Sequence, residues 1–238
     1  MRNNPDLISR LQDWPRTPAE ARVVQASLAN QVCTADRFSA PKLIAGVDVS
    51  YQGGADASRG AVAVLAYPSL AVLEESVVET ITAFPYVPGF LSFREIPPLL
   101  EALSRLKSLP DMLVCDGQGL AHPRRFGLAC HLGVLLDLPV IGVAKSRLIG
   151  THAPVGPEKG DHVPLMDKGE TVGMVVRTRA HVAPVYVSVG HRVSLETAVE
   201  IALSCCPRWR LPETTRAADA LSKAWKWKSQ PTVKGKKS

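Results

Sequence analysis

The stretch Leu43-Ile44-Ala45-Gly46-Val47-Asp48-Val49-Ser50 reads as a strand, apolar and rich in branched side chains, with a single carboxylate set into it. Two similar runs follow, Gly60–Tyr67 and Leu70–Ile81, separated by the turn signals Gln52-Gly53-Gly54 and Tyr67-Pro68-Ser69. Three consecutive antiparallel strands are the natural outcome. Beyond them, Phe93–Leu109 carries Leu99, Leu100, Leu103 and Leu106 at helical spacing, with Pro97-Pro98 suited to its entry and Pro110 to its exit. Strand and helix then alternate. Asp111–Cys115 and Val140–Ala144 read as short buried strands flanking a helix over Arg124–Leu138. Thr171–Arg177 and Pro184–Val189 read as two more strands, and Leu195–Ser204 and Thr215–Trp227 as helices. Toward the N-terminus, residues 1–40 form a polar helical layer or lid, with a surface helix over Ala19–Val32. The order predicts an α/β fold: a mixed sheet, three antiparallel strands then parallel ones, with helices on both faces. One domain spans residues 1–228, followed by a basic tail at 229–238.

The 238 residues are 46% hydrophobic and 21% charged, which excludes a disordered polymer and permits a sizeable core. No apolar run approaches the roughly 18 residues of a bilayer span, and the N-terminus leads into no signal-peptide core, so a cytoplasmic protein without membrane contact is expected. Five cysteines without CxxC spacing argue against zinc fingers and disulfide scaffolds and for a reduced compartment. The net charge of +6 is equal to the six lysines that follow residue 220, so the tail carries the surplus. Such a tail is either a solvated end or an arm on phosphates.

Two strands end in carboxylates. Asp48 lies inside the first; Asp116 closes the run Leu113-Val114-Cys115-Asp116-Gly117-Gln118-Gly119. In an open α/β sheet, ligands collect at the carboxyl ends of neighbouring parallel strands. Two carboxylates brought together there repel, and a divalent cation is the usual resolution. Hard oxygen ligands with no cysteine or histidine cluster favour Mg²⁺ or Mn²⁺ over zinc. A third acid, Glu95, ends the stiff segment Phe84-Pro85-Tyr86-Val87-Pro88-Gly89-Phe90-Leu91-Ser92-Phe93-Arg94-Glu95, whose composition reads first as a loop packed into the core and second as a rigid, partly apolar loop that wedges bases apart.

These residues carry a resemblance. Val47-Asp48-Val49-Ser50, the Phe84–Glu95 segment, Asp116-Gly117-Gln118-Gly119-Leu120-Ala121-His122-Pro123-Arg124-Arg125, Ile141-Gly142-Val143-Ala144-Lys145-Ser146 and Val187-Ser188-Val189-Gly190-His191 are similar, in order, to blocks of the endonuclease V family. The resemblance implies a ribonuclease H-like fold and Mg²⁺-dependent hydrolysis, with Mn²⁺ able to substitute, of the second phosphodiester bond 3′ to a hypoxanthine. The products would carry 3′-hydroxyl and 5′-phosphate ends. It implies Asp48, Glu95 and Asp116 as metal ligands, Lys145 beside the attacked phosphate, and Asp219 at a fourth catalytic position where some members carry histidine. Left to itself, Asp219 reads as an i,i+3 partner of Arg216. Tyr86 falls in the strand-separating wedge, which Pro85 and Val87 stiffen. Gly89, Leu91, Gly117, His122 and Leu148 match positions lining the lesion pocket, where backbone groups around Gly117 and Gly119 would read the flipped base.

The expected partner is nucleic acid, bound by a monomer. An inosine-specific endoribonuclease is the nearest alternative reading. An actin-like or sugar-kinase ATP site fits Gly46-Val47-Asp48 but not the Val49-Ser50-Tyr51 that follows. A non-catalytic nucleic-acid-binding module has no use for Asp48, Glu95, Asp116 and Lys145 together.

Overall fold

In the computed structural model, which describes residues 7–51 and 57–224, β1 (Leu43–Tyr51) is the hinge of the sheet. On one side it pairs antiparallel with β2 (Ala57–Ala66), which pairs antiparallel with β3 (Val72–Ile81). On the other side β1 runs parallel to β4 (Met112–Cys115), and β4 parallel to β5 (Val140–Ala144). The chain then returns through β6 (His162–Asp167), β7 (Glu170–Val176) and β8 (Val185–His191), all antiparallel to their neighbours. The eight strands lie in the order β3-β2-β1-β4-β5-β8-β7-β6. This is the expected mixed sheet; its far edge is an antiparallel extension.

Alternation along the central strands divides the core in two. Ala45, Val47, Leu113 and Cys115 face α2 (Leu91–Ser104) and α3 (Leu128–Leu136). Ile44, Met112, Val114, Ile141 and Val143 face α4 (Leu195–Ser204) and α5 (Glu213–Ala224). Gly46 lets α5 lie directly on β1, for a Cβ there would stand 1.9 Å from the Thr214 carbonyl oxygen. The N-terminal layer, a 3-10 turn at Ile8–Leu11 and α1 (Pro18–Ala29), covers the α2/α3 face. Its Leu7, Leu11 and Trp14 join that core. Thr17 and Glu20 form a reciprocal capping box that starts α1.

Two expected helix starts move, and one strand has no expected counterpart. α2 begins at Leu91, so Pro97 and Pro98 sit in its interior and not at its entry. A proline at position 97 removes the N–H that Phe93 O would accept, and the Trp14 indole N–H fills that role at 2.9 Å. α3 begins at Leu128 and not at Arg124, because Arg125 holds a left-handed φ of 53° that no right-handed helix can contain. β6 went unread: Pro164 interrupts its pattern, and an edge strand is where a sheet tolerates proline. The turn at Gln52-Gly53-Gly54, the end of the final helix at Trp227 and the tail at 229–238 lie outside the described residues.

Candidate active site

The parallel register of β1 and β4 pairs Val47 with Cys115, which sets Asp48 beside Asp116 at one end of the sheet. β5 ends at the same edge, and the residue after it, Lys145, forms an ion pair with Asp116 through its half-exposed ammonium. Asp48 Oδ2 accepts a hydrogen bond from Ser222 Oγ at 2.6 Å. The buried Ser222, on α5, is itself fixed, since its carbonyl accepts from Arg59 Nη1 at 2.7 Å and Arg59 pairs with Glu79. Glu95, on α2, is partly buried within the field of both aspartates.

The electrostatics record the crowding. Burial raises Glu95 to about 8, and the Asp48 and Asp116 charges push the same way. Burial also raises Asp48; the Ser222 hydrogen bond opposes this, and Asp219 and Asp116 add to it. For Lys145, burial lowers the affinity for a proton, but the hydrogen bond and charge of Asp116 outweigh it and hold the ammonium above its ordinary range. Asp219 belongs to this field although its direct partner is Lys223, at 2.7 Å. The alternative reading, an Asp219–Arg216 pair, does not form, because Arg216 turns back to Glu213, also at 2.7 Å. Among the described residues no three histidine, cysteine, aspartate or glutamate side chains already stand in chelating reach of one another. Asp116 is drawn to Lys145, and Asp48 to Ser222.

Next to these acids lies a cavity of about 180 Å³. Tyr86, Val87, Gly89, Leu91, Gly117, His122 and Leu148 line it, as do Pro88, Ser92, Gln118, Gly127 and Leu128, which sequence reasoning did not single out. Of these, Gln118 and Gly127 had a signal, a polar side chain and a glycine within or beside the quoted DGQG block. Pro85 is exposed and stands outside the lining. Gly119 also stands outside it. Its N–H donates to Ser188 Oγ at 2.8 Å and its carbonyl accepts from Gly127 N at 3.0 Å, so both backbone groups are engaged within the fold and neither reads a ligand.

The segment Phe84–Phe90 is anchored at both ends. Arg94 Nη1 donates to Phe84 O at 2.7 Å, and Phe84, Phe90 and Phe93 pack together against α1. At the other end Gly89 adopts φ 81°, and its carbonyl accepts from Gln25 Nε2 and from Arg124. Arg124 also lies 4.2 Å over the Phe90 ring and donates to the Gln25 amide oxygen. The φ of Gly89 is one that side chains rarely adopt, which is what calls for glycine here; a Cβ would in addition displace the end of the Arg124 side chain, 2.7 Å away. Between the anchors Tyr86 stands 72% exposed, an aromatic held out at the cavity mouth beside exposed Leu91 and Leu148. Burial lowers His122 to about 4, with Arg124 adding to the effect, so this lining imidazole is neutral at physiological pH.

Residues 26–220 match the family described as Endonuclease V. The chain is 54% identical over 210 residues to an endonuclease V of Trichormus variabilis, covering 88% of this chain and 95% of that one. Its fold is similar to the crystal structure of endonuclease V from Streptomyces avermitilis, with a TM-score of 0.86 and 45% identity over 90% and 94% of the two chains. It is also similar to Ciona intestinalis endonuclease V, solved in complex with a 24mer DNA containing an inosine followed by a ribo-adenosine. There the TM-score is 0.77 and the identity 31%, over 87% and 96% of the chains.

Proposed function

The chain belongs to the endonuclease V family and is a nuclease, a hydrolase of phosphodiester bonds, and from that premise we propose that it cuts DNA at the second bond 3′ to a deoxyinosine. The single observation that carries this reading is the adjacency of a small, largely apolar cavity under an exposed aromatic wedge to a carboxylate–lysine cluster at the sheet edge. The inosine-containing DNA bound by the Ciona relative supports the same substrate.

The chain's residues divide the work. Tyr86, rigidly presented, fills the space a base leaves when it turns out of the stack, and the cavity takes that base. Hypoxanthine pairs weakly, so its extrusion costs less than the few kcal/mol needed for a normal base. The neutral His122 stands in the wall of the cavity, and the backbone at Gly117 faces the base edge. Lys145 offsets charge that develops on the attacked phosphate. Asp219 adds negative charge behind the cluster and holds Lys223 at its rim.

The donor set fits a divalent cation. Three carboxyl groups with no sulfur or imidazole among them are hard ligands, and Asp48 and Glu95 hold their protons first because they are buried and then because the neighbouring acids repel their charge, both of which a bound cation would offset. Asp48, Glu95 and Asp116 would hold Mg²⁺, or Mn²⁺ in its place, which supplies an activated water and stabilises the leaving oxygen. The protein acts as a single chain, residues 1–228 forming its catalytic domain, in the cytoplasm.

The test is incubation with a deoxyinosine duplex, with and without Mg²⁺, mapping the nick to the nucleotide. A metal-dependent cut at the second bond on the 3′ side of the lesion is expected; cutting of undamaged duplex at the same rate would overturn the proposal. A ribonucleotide-directed activity is the second reading, favoured by the ribo-adenosine after the inosine in the Ciona complex. Strong preference for the riboinosine version of one oligonucleotide would establish it.

A further inference from the structure

Trp209 stands 41% exposed in the loop between α4 and α5, with three guanidinium groups around its ring: Arg216 at 4.6 Å, Arg208 at 5.8 Å and Arg179 at 5.9 Å from the centroid. Only Arg216 has a carboxylate partner, Glu213. Among the described residues Arg179 and Arg208 meet none, and both are exposed. An indole left half bare among uncompensated cations is poorly explained as packing, and it offers what a single strand of nucleic acid needs, a stacking face and phosphate partners.

Its position relative to the reaction is fixed by the neighbouring residue. Arg210 donates to Lys145 O at 2.7 Å, Pro184 O at 2.9 Å and Ala183 O at 2.7 Å, which ties the loop to the backbone of the lysine beside Asp116. The β5–β8 register pairs Ala144 with Tyr186, and β7–β8 pairs Val176 with Val185, so Arg179 leaves the sheet at the same edge as Lys145. The cavity is lined from the α2/α3 side of the sheet, whereas Trp209 lies in the loop that joins the two helices of the other face, next to the Arg210 that holds the Lys145 carbonyl.

We infer that Trp209, Arg179 and Arg208 form a platform for the strand beyond the scissile bond, on the far side of the cut from the flipped base. This rests on the deoxyinosine nuclease reading and extends it: a strand seated with its base in the cavity and its phosphate at Lys145 leaves the centre over this patch.

The experiment compares inosine oligonucleotides whose 3′ flank is trimmed close to the cut or extended beyond it, using the full chain, Trp209→Ala, Trp209→Phe and Arg179→Ala/Arg208→Ala. For the parent protein the longer flank should lower KM about 10-fold with kcat unchanged. Trp209→Ala should erase that gain, Trp209→Phe should keep most of it, and all variants should match the parent on the trimmed substrate. The double arginine variant should flatten the dependence of log affinity on log salt by about 0.7 to 0.9 for each phosphate left without its cation. Variants that retain the parent's flank dependence and salt slope would overturn the platform while leaving the nuclease reading intact. A parent protein that cuts oligonucleotides with and without inosine equally, yet keeps its dependence on the 3′ flank through Trp209, would overturn the deoxyinosine reading and support the platform.

Discussion

At the residue scale, the groups that carry charge and those that hold them steady make separable predictions. Lys145 is the cation paired with Asp116, and Lys145→Ala should lower kcat by about 10²- to 10³-fold, the range seen for deleting one transition-state donor, with lesion affinity in Ca²⁺ little changed. A single-turnover assay beside a binding isotherm separates the two effects; an unchanged cleavage rate would remove the lysine from the chemistry. Gln25 is buried on α1, donates to Gly89 O and Phe126 O, and accepts from Arg124. Gln25→Leu should therefore loosen the base of the wedge, narrowing the ratio of kcat/KM for inosine over undamaged DNA several-fold. Stability should fall by about 1–3 kcal/mol for the buried groups left unmet. Loss of stability with discrimination intact would reduce Gln25 to a packing residue. The acids were legible because each is a charge in an apolar run or beside a rigid segment. Gln25 was not, since one glutamine on a polar helix gives no sign that it faces inward, 64 residues away from the carbonyl it meets.

At the scale of elements, α2 depends on a bond its own backbone cannot make. Pro97 leaves Phe93 O without its helical donor, and Trp14 supplies one from the N-terminal layer while its ring stacks near Phe93 and His131. Trp14→Phe keeps the stacking and removes the N–H, and should cost about 1–3 kcal/mol in denaturant unfolding. In a Pro97→Ala background the helix regains the N–H, and the same change should cost markedly less. Equal costs in both backgrounds would show that the indole bond is incidental. This explains why the sequence suggests a later helix start: a proline pair looks like an entry signal when the donor that excuses it lies 79 residues before the Phe93 carbonyl it serves. The long, strongly patterned pieces were readable, with β5 and α4 falling where hydrophobic periodicity puts them. α3 was displaced by the turn at Arg125, and β6 hidden by Pro164, because each is decided by tertiary position and not by local composition.

For the whole molecule, opposing buried groups set the dependence of stability on pH. His122 and His131 are lowered by burial to about 4 and about 3, so between those values and the ordinary 6.5 the unfolded chain binds more protons than the folded one. Stability on their account rises with pH up to about 6.5 and is lost as the pH falls. Glu95 acts in the other direction. Burial, then Asp48 and Asp116, raise it from 4.5 to about 8, so across that window the folded protein binds the extra proton and its stability falls as the pH rises. Among the groups with large shifts, two imidazoles oppose one carboxyl below 6.5, His191 adding to the imidazole side and Asp48 to the carboxyl side; above 6.5 the imidazoles drop out and Glu95 remains. The metal-free protein should thus show its highest Tm near pH 6.5 and decline toward pH 8. A divalent cation among Asp48, Glu95 and Asp116 takes the place of that proton, so added Mg²⁺ should raise Tm little at pH 6 and substantially at pH 8. Thermal melts across this range, with and without Mg²⁺, test the fold's electrostatics and the metal assignment together. In Glu95→Gln the alkaline decline should vanish without metal, and the pH dependence of the Mg²⁺ effect should vanish with it. A stabilisation by Mg²⁺ that is the same at pH 6 and pH 8 in the unaltered protein would mean that the ion does not compete with the Glu95 proton, and the ligand set would have to be drawn elsewhere.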